Sequence, residues 1–356
     1  MKKKRLMAAI SAIAVATTMF MGCGSSNNSA KSGDSATKEN YNVSMVTDTG
    51  GVNDQSFNQS SWEGLQQLSK DVKDKNVKVS YLESKQESDY ATNLDKAADS
   101  GCKLIWGVGY AMADALTNAA KKNTDVNYAI IDNSYGKNTL SNVTGVMFKA
   151  EESSFMVGYI AGKTTKTGKV GFVGGMTSAV IDEFEYGYKA GAQYAAKELG
   201  KTIEVQSQYA QSYNDAAKGK AIANSMFSKG CDIVFHAAGG TGVGVIEAAK
   251  EANKFAIGVD RDQAYLAPKN VLTSALKNVN VAVENLSKDA MSGKKIGGQT
   301  FTYGLKEGAV GIPEKNDNLD KKVYDDTMKI QDEIKAGKIT PPASKDSYEK
   351  FVKDLK

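Results

Sequence analysis

Aspartate residues follow three of the short apolar runs in this sequence. Asp48 follows VSMVT, Asp132 follows YAII and Asp260 follows AIGV. Runs of this length and composition are typical of buried strands. The carboxyl ends of parallel strands lie at one edge of a sheet, where α/β proteins bind their ligands. We therefore expect the three carboxylates to converge on one cleft, although each of them, taken alone, could instead cap a helix.

Further aromatic, polar and glycine residues stand near predicted strand ends or in the first turns of predicted helices. They are Phe57, Asn58, Tyr110, Phe184, Gly240 and Lys277. An ionised carboxylate only accepts hydrogen bonds, so a ligand that matches three of them carries donors such as hydroxyl groups. Phenyl and phenol rings stack on flat ring systems. Hydroxyl groups together with a planar ring describe a nucleoside.

The charge balance and the rare residue types exclude several classes of function. Four of the 45 basic residues lie at positions 2–5, so the rest of the chain carries 41 basic and 41 acidic residues. Because a neutral chain lacks the positive field that attracts phosphates, we expect no nucleic-acid partner. One arginine after residue 5, Arg261, is also a poor basis for bidentate phosphate binding, which favours neutral nucleosides over nucleotides. A single histidine, His236, and three cysteines leave little for a metal site or a histidine-based catalytic site, so we predict no metal and no cofactor.

The N-terminus has the features of an export signal. Residues 1–22 combine a basic start with an uncharged, largely apolar run over residues 6–21, and Gly22 then stands directly before Cys23. A small residue before a cysteine resembles the lipobox of bacterial lipoproteins, in which the cysteine carries acyl chains such as palmitate. Residues 23–40 contain no large apolar side chain and therefore predict a flexible tether. We predict a lipid anchor at Cys23 on the extracytoplasmic face of the cell membrane; the alternative is an unmodified thiol after a plain signal peptide.

From residue 41 the sequence alternates ten strand-like runs with eight helical stretches. This alternation predicts an α/β fold with doubly wound parallel sheets, and the number of strands exceeds one Rossmann-like unit. We therefore predict two Rossmann-like lobes. The N-terminal lobe takes residues 41–148 plus about 276–312, and the C-terminal lobe takes 149–275 plus about 313–356. Cys102 and Cys231 open separate predicted strands, so we expect two buried free thiols.

Four stretches carry a resemblance to a known family: VSMVTDTGGVNDQSFNQSSWEGL, GKVGFVGGMTSAVIDEFEYGYKAGA, FHAAGGTGVGVIEAA and TSALKNV. They are similar to the basic membrane protein family of substrate-binding lipoproteins, particularly its purine-nucleoside receptors, over about residues 41–311. The resemblance implies a type I periplasmic-binding-protein fold of two lobes joined by a hinge, and we expect a monomer. It also implies that the lobes close on a nucleoside, which is then delivered to the permease of an ABC importer.

The same resemblance implies a role for individual residues. It places eight residues at ligand positions: Asp48, Phe57, Asn58, Asp132, Phe184, Gly240, Asp260 and Lys277. Phe57 and Phe184 would sandwich the base, Asn58 and Asp132 would contact its edge, and Asp260 with Lys277 would hold the ribose.

Two other functions stay open at this point. The same fold serves binding proteins for sugars and signalling furanoses, and fold does not determine the ligand. Three neighbouring aspartates could also supply the acid and the base of a nucleoside hydrolase. Because the sequence offers neither a metal-ligand cluster nor a suitable histidine for that chemistry, we predict binding and no enzyme activity.

Three remaining features are explained without a ligand. The glycine-rich stretch from Gly239 to Gly244 superficially matches a dinucleotide-binding fingerprint, but Val245 occupies the place of its last glycine. We interpret His236 as a strand-end residue that donates to the backbone, and Arg261 as a solvated residue of the hinge.

Overall fold

The computed structural model describes residues 40–72, 76–314 and 317–355. The predicted signal peptide and anchor residue Cys23, with all of the tether except residue 40, lie outside the described residues. Within them, two six-stranded sheets are flanked by helices, which confirms the predicted fold class. In the same ranges, no helix combines the length and the apolar character that crossing a bilayer requires.

The first sheet defines the N-terminal lobe. Its strands are β1 (Tyr41–Val46), β2 (Val77–Leu82), β3 (Leu104–Val108), β4 (Asn127–Ile131), β5 (Val143–Phe148) and β11 (Gln299–Tyr303). They lie in the order β11-β5-β4-β3-β1-β2, and all neighbours are parallel. The order reverses between β1 and β3, and such a reversal opens a crevice at the carboxyl ends of the strands.

Three helices of this lobe come from the first 122 residues, and a fourth comes from residues 279–291. They are α1 (Phe57–Asp71), α2 (Asp89–Asp99), α3 (Ala113–Lys122) and α8 (Val279–Met291). Helix α8 is anchored to the sheet because the Trp106 indole donates to Ser287 Oγ at 3.0 Å. It also approaches α1 closely, since a Cβ on Gly64 would lie 2.5 Å from the Asn280 carbonyl oxygen. The segment of residues 279–303, which interrupts the sequence of the second lobe, therefore completes the first lobe.

The second sheet defines the C-terminal lobe. Its strands are β6 (Lys169–Gly174), β7 (Glu204–Tyr209), β8 (Ile233–Ala237), β9 (Phe255–Asp260), β10 (Val271–Lys277) and β12 (Val310–Gly311). They follow the order β12-β10-β9-β8-β6-β7, and all pairs are parallel except β10 with β12. Residues 276–277 and 310–311, which we expected in the N-terminal lobe, belong to this sheet, because Leu276 and Lys277 end β10 and pair with Gly311 and Val310.

Six helices surround the second sheet. They are α4 (Ala150–Thr164), α5 (Ala179–Leu199), α6 (Ala216–Ser228), α7 (Thr241–Glu251), α9 (Lys321–Lys335) and α10 (Lys345–Leu355). Helix α5 is capped at its start, where Ser178 Oγ accepts from the Ile181 N–H, and it ends at Gly200 with a φ of +60°. Helices α4 and α5 pack closely through glycine, since a Cβ on Gly158 would lie 2.1 Å from the Tyr188 carbonyl oxygen.

The chain crosses between the sheets at three places, and the crossing segments are hydrogen-bonded to one another. Lys149, between β5 and α4, donates its N–H to the Tyr303 carbonyl at 2.8 Å. Asn278, between β10 and α8, donates its N–H to the Ala309 carbonyl at 2.7 Å. Both acceptors lie at the third crossing, between β11 and β12, because Tyr303 ends β11 and Ala309 directly precedes β12. The three crossings are therefore hydrogen-bonded to one another.

Both described cysteines lie in hydrophobic clusters of different lobes. Cys102 packs in the N-terminal lobe and Cys231 in the C-terminal lobe, and both are buried free thiols, which confirms the prediction. Burial raises the pKa of each thiol, for Cys231 to about 11. Both groups are therefore protonated and unreactive at neutral pH.

Candidate functional site

A cavity of about 520 Å³ lies between the carboxyl ends of the two sheets. This volume is within the usual range for small-molecule sites. Eight of the nine residues predicted for the ligand site line it: Asp48, Phe57, Asn58, Tyr110, Asp132, Phe184, Asp260 and Lys277. The structure thus brings together residues of α1 and of the segments that follow β1, β3 and β4 in one lobe with residues of α5, β9 and β10 in the other.

Gly240 is the exception among the predicted residues. The lining residue at this point is its neighbour Gly239, which has a φ of +53°. Gly240 instead precedes α7, and a Cβ there would lie 3.1 Å from the Tyr213 carbonyl oxygen and 3.8 Å from Asp54. The turn at Gly239 therefore presents that residue to the cavity and directs Gly240 toward neighbouring protein.

Asp48 and Asn58 form a hydrogen-bonded pair on the wall of the cavity. Asp48 Oδ1 accepts from Asn58 Nδ2 at 2.7 Å and from the Gly50 N–H at 2.8 Å. Burial raises the pKa of the Asp48 carboxyl to about 7, against these hydrogen bonds; the nearby carboxylates of Asp54 and Asp260 raise it further. Near neutral pH this carboxyl is thus poised between its neutral and its ionised form.

Asp54 supports this wall and holds the start of α1. Its carboxylate accepts from the backbone N–H groups of Ser56, Asn58 and Gln59 at 2.8–3.1 Å, which caps the helix. It also accepts from Asn58 Nδ2 at 3.0 Å. Both amide hydrogens of Asn58 are thereby used within the protein, so in this structure Asn58 positions Asp48 and Asp54 and offers a ligand no free donor.

Asp132 and Lys277 form an ion pair between the two lobes. Lys277 Nζ lies 2.5 Å from Asp132 Oδ2, and the two side chains are only 2% and 8% exposed, respectively. The resemblance implied that Lys277 would act with Asp260, whereas the structure pairs it with Asp132. The ammonium group also lies over three aromatic rings, 4.9 Å from the centroid of Phe57, 5.2 Å from Phe148 and 5.7 Å from Phe184. Cation–π attraction therefore adds to the ion pair.

Asp260 faces the cavity from the end of β9. It accepts a short hydrogen bond from Ser56 Oγ of the N-terminal lobe. Burial raises the pKa of the Asp260 carboxyl to about 6, although the Lys277 charge and the Ser56 hydrogen bond oppose this shift. A second lining carboxyl is thus partly protonated in mildly acidic solution.

Several lining residues were not predicted. They are Thr49, Asp54, Lys85, Glu87, Tyr90, Gly109, Ala111, Met176, Thr177, Val180, Ile181, Gln211, Ser212, Tyr213, Asn214, Ala237, Ala238, Gly239 and Val259. Met176 and Gln211 closely follow β6 and β7. The expectation that residues directly after parallel strands line the site, here called the strand-end rule, would therefore have found this part of the site if it had been applied to every strand. Two of the residues contact the other lobe: Tyr213 Oη lies 3.3 Å from Tyr110 Oη, and Asn214 Nδ2 donates to the Thr49 carbonyl at 3.0 Å.

The interpretations of His236 and Arg261 need correction. His236 is fully buried, and its Nε2 faces the side-chain oxygen of Gln263 at 3.0 Å, not a backbone carbonyl. Arg261 is not a freely solvated residue, because its Nη1 lies 3.1 Å from Glu63 Oε1 of the N-terminal lobe and its side chain is 25% exposed. Both residues lie outside the lining of the cavity.

The chemistry of the lining is that of recognition by hydrogen bonds and stacking. Its inner wall carries the carboxyl groups of Asp48, Asp54, Asp132 and Asp260, while Lys277 is already paired. Among the described residues, no group of three or more His, Cys, Asp or Glu side chains is arranged to hold a metal ion. The cavity can accept hydrogen bonds from a ligand and present aromatic rings to it.

Comparison with known proteins gives the family. Residues 41–345 match the Bmp family, described as "ABC transporter substrate-binding protein PnrA-like". The chain is 41% identical to the CD4+ T-cell-stimulating antigen of Listeria innocua and 41% identical to the ABC transporter nucleoside-binding protein BmpA of Lactococcus lactis subsp. cremoris. Each alignment covers 96% of this chain and 99% of the relative.

A solved structure agrees with this assignment. A solute-binding protein of an ABC transporter system from Aeropyrum pernix K1 superposes with a TM-score of 0.78 at 27% identity, covering 88% of this chain and 97% of the other. The matching family and the relatives from Lactococcus lactis and Aeropyrum pernix are described as binding proteins of ABC transporters, so the nucleoside hydrolase alternative is not supported. The chain belongs to the Bmp family of PnrA-like ABC transporter substrate-binding proteins.

Proposed function

We propose that this protein captures nucleosides, preferably purine nucleosides, between its two lobes and delivers them to the permease of an ABC importer. The observation that carries the proposal is the mixed lining of the cavity, where Phe57 and Phe184 come from different lobes and carboxylates come from both. The rings suit a planar base, and the carboxylates suit the hydroxyl groups of a ribose. The nucleoside-binding relative from Lactococcus lactis supports the same class of ligand.

The charge of the cavity favours an uncharged ligand. Five carboxyl groups line it, those of Asp48, Asp54, Glu87, Asp132 and Asp260, against the two lysines Lys85 and Lys277, and the buried Lys277 is already paired with Asp132. A phosphate group would meet like charges and no arginine, because Arg261 is paired with Glu63 outside the lining. Repulsion and desolvation would therefore weaken the binding of nucleotides relative to nucleosides.

Capture proceeds by closure of the lobes. The site residues stand on two lobes joined by three crossing segments, and contacts such as Lys277 with Asp132 join the two lobes. A ligand that touches both lobes binds the closed arrangement more tightly than the open one and shifts the population toward it. The closed protein is then the form that the permease receives.

Calorimetry of the purified protein tests the ligand. The panel contains adenosine, guanosine, inosine, uridine, the free bases, a nucleoside monophosphate, ribose and glucose. We expect heat with purine nucleosides, weaker binding of uridine and little or no binding of the monophosphate. Tight binding of ribose or glucose with no heat from any nucleoside would overturn the proposal in favour of the sugar or furanose alternative.

We further propose that the mature protein is a monomer held at the extracytoplasmic face of the membrane by acyl chains on Cys23. Two acyl chains suffice for stable anchoring. In the producing cells, labelled palmitate should enter the wild type and not Cys23→Ala, which should appear in the medium. Equal labelling of both proteins would contradict the anchor, and a dimer in light scattering of the detergent-solubilised protein would contradict the monomer.

A further inference from the structure

A fully buried glutamine connects the only histidine to the opposite lobe. Gln263 lies between β9 and β10 and is 0% exposed. Its Oε1 accepts from the Val259 N–H at 2.9 Å and faces His236 Nε2 at 3.0 Å. Its Nε2 donates to the Gln55 carbonyl at 3.0 Å, which belongs to the N-terminal lobe. A hydrogen-bonded chain therefore runs from the core of one lobe into a loop of the other.

The orientation of the Gln263 amide is determined by its surroundings. Val259 supplies a donor to Oε1, and burial lowers the pKa of His236 to about 4, so the imidazole is neutral at physiological pH. With its proton on Nε2, His236 donates to the same oxygen, and the amide nitrogen must then point to the other lobe. Glycines make room for this pair: a Cβ on Gly242 would lie 1.9 Å from His236 Nδ1, and one on Gly258 would lie 2.7 Å from Gln263 Oε1.

Gln55 receives a second hydrogen bond from the C-terminal lobe, donated by Tyr265. Its Oε1 accepts from the Tyr265 hydroxyl at 2.6 Å. Its backbone has a φ of +58°, an uncommon conformation for a residue other than glycine. Because the carbonyl and the side chain of one residue both bind across the interface, the loop before α1 is held from two directions. We name Gln55, Gln263 and Tyr265 the interlobe clasp.

The clasp lies outside the ligand cavity. None of its three residues belongs to the lining. Its hydrogen bonds join loops of different lobes, so they are present when the lobes are together and break when they separate. A contact that exists in only one of two states shifts the equilibrium toward that state by its own free energy.

We propose that the interlobe clasp stabilises the closed arrangement and slows ligand release without touching the ligand, and that His236 acts as a positioning residue through Gln263. The inference rests on the proposed function, because it assumes a ligand held between the lobes. It also explains why a buried neutral histidine lies behind the cavity and does not contact it.

The test compares Tyr265→Phe and Gln263→Leu with the wild type and with Tyr81→Phe. Tyr265 is 50% exposed, so removing its hydroxyl leaves the core intact. Tyr81, which is 40% exposed on β2 of the N-terminal lobe, is the matched control. The purified full chain is examined by stopped-flow binding of a purine nucleoside, by small-angle X-ray scattering without ligand, and by thermal unfolding.

We expect Tyr265→Phe to raise the dissociation rate constant about three- to tenfold, which is the usual effect of losing one hydrogen bond. We expect Gln263→Leu to raise it further, while the association rate constant stays within about twofold because affinity changes at one interface lie mostly in dissociation. The unliganded clasp variants should also have a larger radius of gyration than the wild type, and Tyr81→Phe should match the wild type.

Unchanged dissociation and scattering in folded Tyr265→Phe and Gln263→Leu would overturn the clasp. If Gln263→Leu fails to fold, Tyr265→Phe alone decides by the same measurements. If the wild type binds no nucleoside, the proposed function fails, whereas the scattering of the unliganded proteins still tests whether the clasp holds the lobes together.

Discussion

Asp132 and Asp260 occupy equivalent places in the two lobes and share an uncommon backbone conformation. Asp132 directly follows β4 and Asp260 ends β9, and these strands hold the same position in their sheets. Their φ angles are +63° and +64°, in the left-handed region that costs most residues roughly 1–2 kcal/mol and that aspartate tolerates better. Both carboxyl groups line the cavity. Backbone strain of this kind concentrates at functional sites, and its repetition in both lobes agrees with a ligand held between them.

Truncation of Phe57 tests stacking. Loss of one stacking ring removes about 1–3 kcal/mol, so Phe57→Ala should weaken nucleoside binding at least about tenfold in calorimetry. Phe301→Ala, on β11 and outside the lining, serves as the control and should bind normally. Wild-type affinity in Phe57→Ala would remove this ring from the binding site.

Asp48 should make binding depend on pH. Its pKa is about 7 without ligand, and a ligand that donates hydrogen bonds to the carboxylate lowers that pKa, so binding releases a proton. Affinity should therefore rise between about pH 5.5 and 7.5 and then level off. Calorimetry in buffers of different ionisation enthalpy measures the released protons, and Asp48→Asn should release fewer. A flat affinity over this range in the wild type would contradict the role of Asp48.

The carboxyl groups of Asp48 and Asp260 should destabilise the ligand-free protein at high pH. The folded pKa values of Asp48 and Asp260, about 7 and about 6, exceed the ordinary value of 3.8. The folded state therefore binds more protons than the unfolded state between about pH 4 and 7, and their contribution to the free energy of unfolding falls as pH rises through that window. His236 acts in the opposite sense, because its lowered pKa makes its contribution fall as pH drops from 6.5 to about 4.

Because these contributions oppose each other, variants must be compared at each pH. We expect Asp48→Asn to melt about 2–4 °C above the wild type at pH 8, which corresponds to about 1 kcal/mol, with a smaller difference at pH 5. Asparagine can still accept from the Gly50 N–H, so the local fold is kept. Scanning calorimetry provides the melting temperatures, and a stabilisation that grows toward low pH would show that the sign is wrong.

Replacing only one partner of the ion pair between Lys277 and Asp132 should lower the free energy of unfolding strongly. Lys277→Met leaves a buried carboxylate unpaired, and we expect the free energy of unfolding to fall by about 3–5 kcal/mol. The double variant Lys277→Met/Asp132→Asn should recover most of that loss, while both proteins bind nucleoside poorly. Denaturant titrations of the wild type, both single variants and the double variant measure the coupling, and additive losses would show that the pair is not coupled.

The local pattern of the sequence determined the strands and helices, and it determined which aspartates stand at the strand ends that line the site. Apolar runs followed by Asp48, Asp132 and Asp260 predict strands whose ends carry acceptors, because strand length, period and turn residues are local properties. Parallel strands bring such ends to one edge, so the strand-end rule placed these three residues at the cavity without any knowledge of how the lobes meet.

Only the tertiary structure decided which side chains face each other across the lobes. Lys277 pairs with Asp132, Arg261 with Glu63, and Gln263 with Gln55, and each pair joins residues more than a hundred positions apart. Such partners depend on how two separately formed sheets dock, which no period or spacing in the chain records. Burial is decided at the same step, and it is burial that raises the pKa of Asp48 and makes the single histidine a neutral support behind the cavity.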